Sequence, residues 1–252
     1  MELELKNIIN YIIPLAKGAG KIIMENYNHL EVVDKEDNSP VTNADIRSNN
    51  FIIEQLHEKY DFPILSEEEI APYSIRQFWQ YFWLIDPLDG TRDFIHGSND
   101  FTVNISLIYQ NRPILGVVYA PATNDCWSAY KDGGAFYNGV KVINSNVDEE
   151  VTGVDSNFHS TKMTKDFLDL NSIHKIKRFG SSIKMCKVAD GSADIYPRLN
   201  GTKEWDTAAS EIILEESNCE ILTWPDKKKL VYNKNDLSNP FFVAARKNFN
   251  WK

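Results

Sequence analysis

Residues 83 to 94 read WLIDPLDGTRDF. An apolar run ends on Asp86, and a second aspartate, Asp89, follows three residues later with a proline between them and Gly90-Thr91 after. Two carboxylates held this close repel each other, so any fold that keeps them together wants a cation beside them. Pro87 lacks a backbone donor and has a fixed φ, so the strand is expected to stop there. Gly90 allows the tight turn that would aim Asp86 and Asp89 at one spot. Taken alone, the same residues also suit a turn closed by Asx hydrogen bonds.

The chain around this feature has 252 residues, 42% of them hydrophobic, enough for a sizeable core. Helical periodicity runs over about 3 to 27, with Leu5, Ile8, Ile9, Ile12, Leu15, Ala19, Ile22 and Ile23 on one face and a kink or a start expected at Pro14. Residues 31 to 45 are polar and rich in turn formers, and read as a loop. A second helix is expected from Thr42 to Tyr60, opened by a Thr42–Asp45 capping box and buried along Ile46, Ile53, Leu56 and Tyr60. A β-rich block follows, including a hairpin of FTVNISLIYQ and ILGVVYAP. The polar stretch 144 to 150 marks a boundary between two lobes, 1–145 and 146–252, the second expected to carry helices near 181–190 and 206–217.

Composition excludes several classes. A formal net charge of −9 disfavours binding to nucleic acid. No apolar run approaches the roughly 18 residues that cross a bilayer, and MELELK at the start lacks the basic region of a secretory signal, so a cytoplasmic protein is expected. Peripheral contact with the inner membrane has no amphipathic basic helix to support it. Cys126, Cys186 and Cys219 show no disulfide or zinc spacing and read as buried thiols. The five histidines lack metal spacing and read as surface or structural. Oligomeric state is not encoded in any motif of this kind.

Two other acidic stations flank the opening one. Leu65-Ser66-Glu67-Glu68-Glu69 follows a short apolar strand, and Trp205-Asp206 precedes a helical run in which Asp206 has the position of an N-cap. Each alone suits an ordinary solvated turn or cap. Magnesium gives them a reason to converge, because it takes oxygen ligands and works together with substrate phosphate.

In this order and at these separations the stations resemble the inositol monophosphatase superfamily, from about residue 12 to about 245. The runs DNSPVTNAD, LSEEE, DPLDGTRDFIHG, FTVNISLI, ILGVVYAP, FGSSIK and EWDTAA are similar to its CysQ-type 3′(2′),5′-bisphosphate nucleotidases. The resemblance implies an α+β fold, a layered α-β-α-β-α sandwich shared with fructose-1,6-bisphosphatases. It implies magnesium-dependent hydrolysis of adenosine 3′,5′-bisphosphate (PAP) to AMP and phosphate, activity on the sulfated relative PAPS, and inhibition by lithium. Two or three magnesium ions would be held by Glu67, Asp86, Asp89, Asp206 and the Leu88 carbonyl. Asp45 and Thr91 would orient and deprotonate the attacking water. Gly90 and Thr91 would give backbone donors to phosphate, and Ser181, Ser182 and Lys184 would meet the nucleotide, with Glu67 and Asp206 also at the substrate. Where the nucleotidases have Lys-Glu after the DGT run, this chain has Arg92-Asp93, which keeps the charge pattern. The metal ligands alone leave an inositol or sugar phosphate open as substrate; FGSSIK favours the nucleotide. A catalytically dead nucleotide or metal sensor would have lost an acid, and none is lost.

Overall fold

The computed structural model describes residues 4–27, 32–34, 40–145 and 150–252. The loop expected over 31–45 and the boundary expected at 144–150 therefore lie partly outside the described residues.

α1 (Leu5–Asn26) leads through β1 (Val32–Asp34) and β2 (Pro40–Thr42) to α2 (Asn43–Lys59). β3 (Ile64–Ser66), α3 (Tyr73–Arg76), β4 (Tyr81–Asp89), α4 (Thr91–Ile95), β5 (Thr102–Tyr109), β6 (Arg112–Ala120), β7 (Asp125–Tyr130), β8 (Gly134–Tyr137) and β9 (Val140–Val142) follow. β10 (Thr152–Ser156), α5 (Lys162–Leu170), β11 (Lys175–Phe179), α6 (Ile183–Ala189), β12 (Ile195–Arg198), α7 (Glu204–Glu216), β13 (Cys219–Thr223) and β14 (Phe242–Arg246) complete the chain.

β3 to β9 form a seven-stranded sheet in sequence order, with β3 parallel to β4 and antiparallel pairing from there on. Its strands alternate between two cores. Trp83, Ile85, Val103, Ile105, Leu115 and Val117 pack with α1 and α2 on one face. Phe82, Leu84, Val118 and Trp127 face α6 and α7 on the other. Burial on both faces explains why these strands read as near-continuous apolar runs rather than as alternating ones. A five-stranded sheet, in the order β11-β10-β12-β14-β13, closes over α6 and α7. A third core around Phe167, Ile195 and Trp251 joins its outer face to α5. The result is the α-β-α-β-α sandwich.

Three expectations are corrected. α1 runs unbroken through Pro14, which sits exposed on the helix surface. The buried side of α2 is Ala44, Asp45, Ser48, Asn49, Ile52 and Leu56, while Ile46 is 50% exposed. Polar residues occupy that side because it faces a polar cleft: Ser48 Oγ donates to the Pro87 carbonyl at 2.8 Å, and Asn49 accepts from Ser66 Oγ at 2.6 Å. Finally, Pro87 does not end its strand. β4 continues to Asp89 through a bulge, the position at which a strand tolerates proline. The three cysteines are buried free thiols.

Candidate active site

The bulge sets the geometry of the first two acids. Asp86 pairs with Asn104 and Asp89 with Thr102, so β4 spends three residues where β5 spends two. In a regular strand residues three apart point to opposite faces. The one extra residue turns Asp86 and Asp89 to the same side. Gly90 then takes φ +91°, and a Cβ there would lie 3.0 Å from the Asp100 carbonyl. Thr91 opens α4 directly behind it.

Asp206 arrives on α7. It lies inside the first turn of α7, three residues after the N-cap Lys203, and not at the N-cap itself; its Oδ2 accepts the Lys203 N–H at 2.8 Å. Carboxylate oxygens of Asp86, Asp89 and Asp206 come within 4.8 Å of one another. Glu67, at the end of β3, lines the same cleft, and its charge helps to raise the pKa of both Asp86 and Asp206. Burial is the larger cause in each. It pushes Asp206 up to about 8, with Asp89 the next contributor. Asp86 lies well above the usual carboxylate range, with Glu67, Asp89, Asp206 and Asp45 adding to the effect of burial. A set of closely spaced oxygen donors, one of them buried and the others half-buried, that cannot all ionise comfortably fits a hard divalent cation such as magnesium.

Asp45 has two tasks in one side chain. As the third residue of α2 its Oδ2 accepts the Thr42 N–H at 2.8 Å, closing the expected capping box. Its Oδ1 lies 3.1 Å from Thr91 Oγ1, which is also 3.2 Å from the Leu88 carbonyl. Burial pushes Asp45 up to about 6, against the hydrogen bonds from Thr42 and Thr91.

Ser182 makes no side-chain cap on α6. Its N–H and hydroxyl both reach Asp89 Oδ2, at 2.7 and 2.6 Å, and the hydroxyl also lies 2.8 Å from the Asp206 carbonyl. Gly180 permits a close approach of the backbone to neighbouring protein: a Cβ would meet the Asp100 carbonyl at 2.5 Å and Asp93 Cγ at 2.7 Å. Ser181 and Lys184 line the cleft, which has a volume of about 580 Å³.

Sequence reasoning missed several residues that the fold brings here. Asn104 donates to Asp89 at 3.2 Å and to Ser182 Oγ at 2.9 Å; a lone Asn inside the apolar run of β5 was its available signal. Asp100 accepts from Gly180 N and Asn157, tying the segment before β5 to those that follow β11 and β10 beside the cleft. His159, grouped above with surface histidines, is a cleft residue. Burial, then Arg198, Lys184 and Arg92, lower its pKa to about 4, so it is a neutral ring in a cationic wall. The cleft therefore combines carboxylates with the cations Lys184, Arg198 and Arg92, close enough that Asp89 acts on Lys184 and Arg198 on Asp206.

A family model described as the inositol monophosphatase family matches residues 4–248. The chain belongs to that family. A 3′(2′),5′-bisphosphate nucleotidase CysQ from Shigella flexneri is 39% identical over 245 residues, spanning 94% of this chain and 99% of that one. The crystal structure of CysQ from Bacteroides thetaiotaomicron superposes with a TM-score of 0.88 at 32% identity, covering 98% of this chain and 100% of that chain. The family fold extends to an IMPase/NADP phosphatase crystallised with Mg²⁺ and phosphate, at TM-score 0.83 and 21% identity over 97% of this chain and 92% of that one. Among the described residues no helix is long and apolar enough to cross a membrane.

Proposed function

We propose that this enzyme hydrolyses the 3′-phosphate of adenosine 3′,5′-bisphosphate to AMP and phosphate, acts also on PAPS, and works in the cytoplasm. One observation carries the reading: the Thr91–Asp45 pair lies beside the acidic cluster, in a cleft that Lys184, Arg198 and Arg92 also line. A substrate with a single phosphate needs only the first of these features. A nucleotide with a second anionic group has a use for both. The kinship with nucleotidases supports the same choice.

Glu67, Asp86, Asp89, Asp206 and the Leu88 carbonyl would hold two or three magnesium ions. Bound there, magnesium supplies Lewis-acid activation of water and neutralises charge on the phosphoryl oxygens. The chain's own residues do the rest. Asp45 accepts a hydrogen bond from the Thr91 hydroxyl, which leaves the Thr91 oxygen free to accept one from the attacking water; as the water attacks, its proton passes to Thr91 while the Thr91 proton passes to Asp45. A carboxylate with a pKa near 6 suits that relay, because it is ionised at neutral pH yet still basic. Backbone donors of Gly90 and Thr91 face the phosphate. Ser182 and Asn104 hold Asp89 in its rotamer. Lys184 and Ser181 meet the nucleotide, together with Arg198 and His159. The lobes 1–145 and 146–252 divide the work, the first bearing most of the acids and Arg92, the second Lys184 and Arg198.

Phosphate release from PAP, PAPS, inositol 1-phosphate and fructose 1,6-bisphosphate, each with and without magnesium, tests the proposal. PAP should lead in kcat/KM, activity should vanish without magnesium, and lithium should inhibit. An inositol or sugar phosphate as the best substrate would transfer the site to another branch of the family.

A further inference from the structure

Glu204 opens α7 two residues before Asp206 and is fully buried. Its carboxylate accepts the Asn233 N–H at 2.5 Å, the Lys234 N–H at 3.0 Å and Lys234 Nζ at 2.6 Å. A carboxylate at this depth is tolerated when its lone pairs are met in this way. The loop it holds grips a second buried charge. Arg76, 2% exposed, donates to Asn233 Oδ1 at 2.8 Å, the Lys234 carbonyl at 2.6 Å and the Asn235 carbonyl at 2.9 Å. Asn233 Nδ2 returns a bond to the Arg76 carbonyl at 2.6 Å. Arg76 Nε donates to the Ala71 carbonyl at 3.2 Å. Ala71 closes the short segment that begins at Glu67, whose N–H is pinned to the Ile85 carbonyl at 3.2 Å.

These bonds join Glu204, two residues from Asp206 on α7, through the 233–235 loop and Arg76 to Ala71, the end of the short segment that begins at Glu67. The path crosses from the second lobe to the first. Asp206 and Glu67 reach the cleft from different lobes, and nothing in the sequence places them in register. We propose that Glu204 is a positioning residue that fixes the α7 start and, through Arg76, the Glu67 segment relative to each other. It touches neither substrate nor the reacting atoms. The proposal rests on the functional reading only in the role it gives to Glu67 and Asp206.

A buried ion pair can also be merely structural, and the two cases differ in how far a disturbance travels. Amide hydrogen exchange is measured on the metal-free full chain for Glu204→Gln, which keeps the shape but removes the charge. Lys234→Met serves as the second variant should Glu204→Gln not fold. Faster exchange is expected at 67–71 in the opposite lobe as well as at 231–237. In parallel, Mn²⁺ binding followed by electron paramagnetic resonance should weaken about tenfold, as when a partner that orients a metal ligand is lost. Exchange accelerated only at 231–237 and the first turn of α7, with the Mn²⁺ Kd within twofold of wild type, would overturn the proposal. Phosphate release by the wild-type protein decides the functional reading separately. A wild type inactive on PAP would sink that reading and leave the exchange result standing.

Discussion

Lys184 is buried in the wall of the cleft, and burial with the nearby Arg198 brings its pKa down to about 8 despite Asp89, Asp93 and Asp100. A lysine is charged below its pKa and neutral above it, so its attraction for an anionic nucleotide fades as pH rises through about 8. The expected outcome is a kcat/KM for PAP that falls on the alkaline side, approaching about tenfold per pH unit when one proton is lost. Lys184→Arg keeps its charge throughout the accessible range. Its alkaline limb should therefore disappear, even if geometry lowers its overall rate. Profiles of kcat/KM from pH 6.5 to about 9.5 for both proteins check this. A limb at the same pH in both would assign the titration to another group. Asp45 shows the opposite displacement in the same cleft: burial raises it to about 6. One cleft thus moves an acid and a base toward neutrality from opposite sides, the pattern of a site built for proton transfer.

The bulge of β4 and the first turn of α6 meet at Asp89, and Ser182 makes the junction. Ser182→Ala removes the hydroxyl bond to Asp89 while leaving the backbone one. The change should lower kcat roughly 10–100-fold, with only the modest loss of Tm that follows from a broken buried hydrogen bond to Asn104; steady-state kinetics and a melting curve on one preparation test the pair of effects. A large fall in Tm with kcat intact would make Ser182 structural. Periodicity alone made α1, the β5–β6 hairpin and α7 legible, because an apolar stripe or run is repeated many times over. The bulge was not legible, since proline after an apolar run reads as a stop. Nor was the buried side of α2, where Ser48 and Asn49 are inside for the sake of the cleft and a count of apolar residues selects Ile46 instead. Asp45, Asp86, Asp89 and Asp206 could be named because they lie in dense, ordered motifs. Asn104, His159 and Arg198 are single residues whose meaning comes only from what the fold sets opposite them.

The whole molecule carries the strain of its acidic cleft. Asp206 near 8, Asp45 near 6 and a raised Asp86 all exceed the ordinary aspartate value, about 3.9, of an unfolded chain. Between the two values the folded protein keeps protons that the unfolded chain has lost, so stability of the metal-free protein falls as pH rises from about 5 to about 8. Metal-free Asp86→Asn should accordingly melt above wild type at pH 8, with the gap closing toward pH 5, and should have no measurable turnover. Magnesium at about 100 times its Kd should add about 2.7 kcal/mol to the wild type, several degrees in Tm, and far less to the variant; scanning calorimetry with and without the metal reads both. A variant that melts below wild type at every pH would remove the electrostatic account. The double-faced sheet has a consequence of another kind, felt before the protein is finished. Its last strand ends at Val142, but α7, which covers its inner face, ends at Glu216. On the ribosome that face stays bare for about 70 further residues, roughly 4–15 s at 5–20 residues per second. For that interval Phe82, Leu84, Val118 and Trp127 are open to any chaperone or neighbouring nascent chain, and the enzyme's yield in a cell is set partly by what reaches them first.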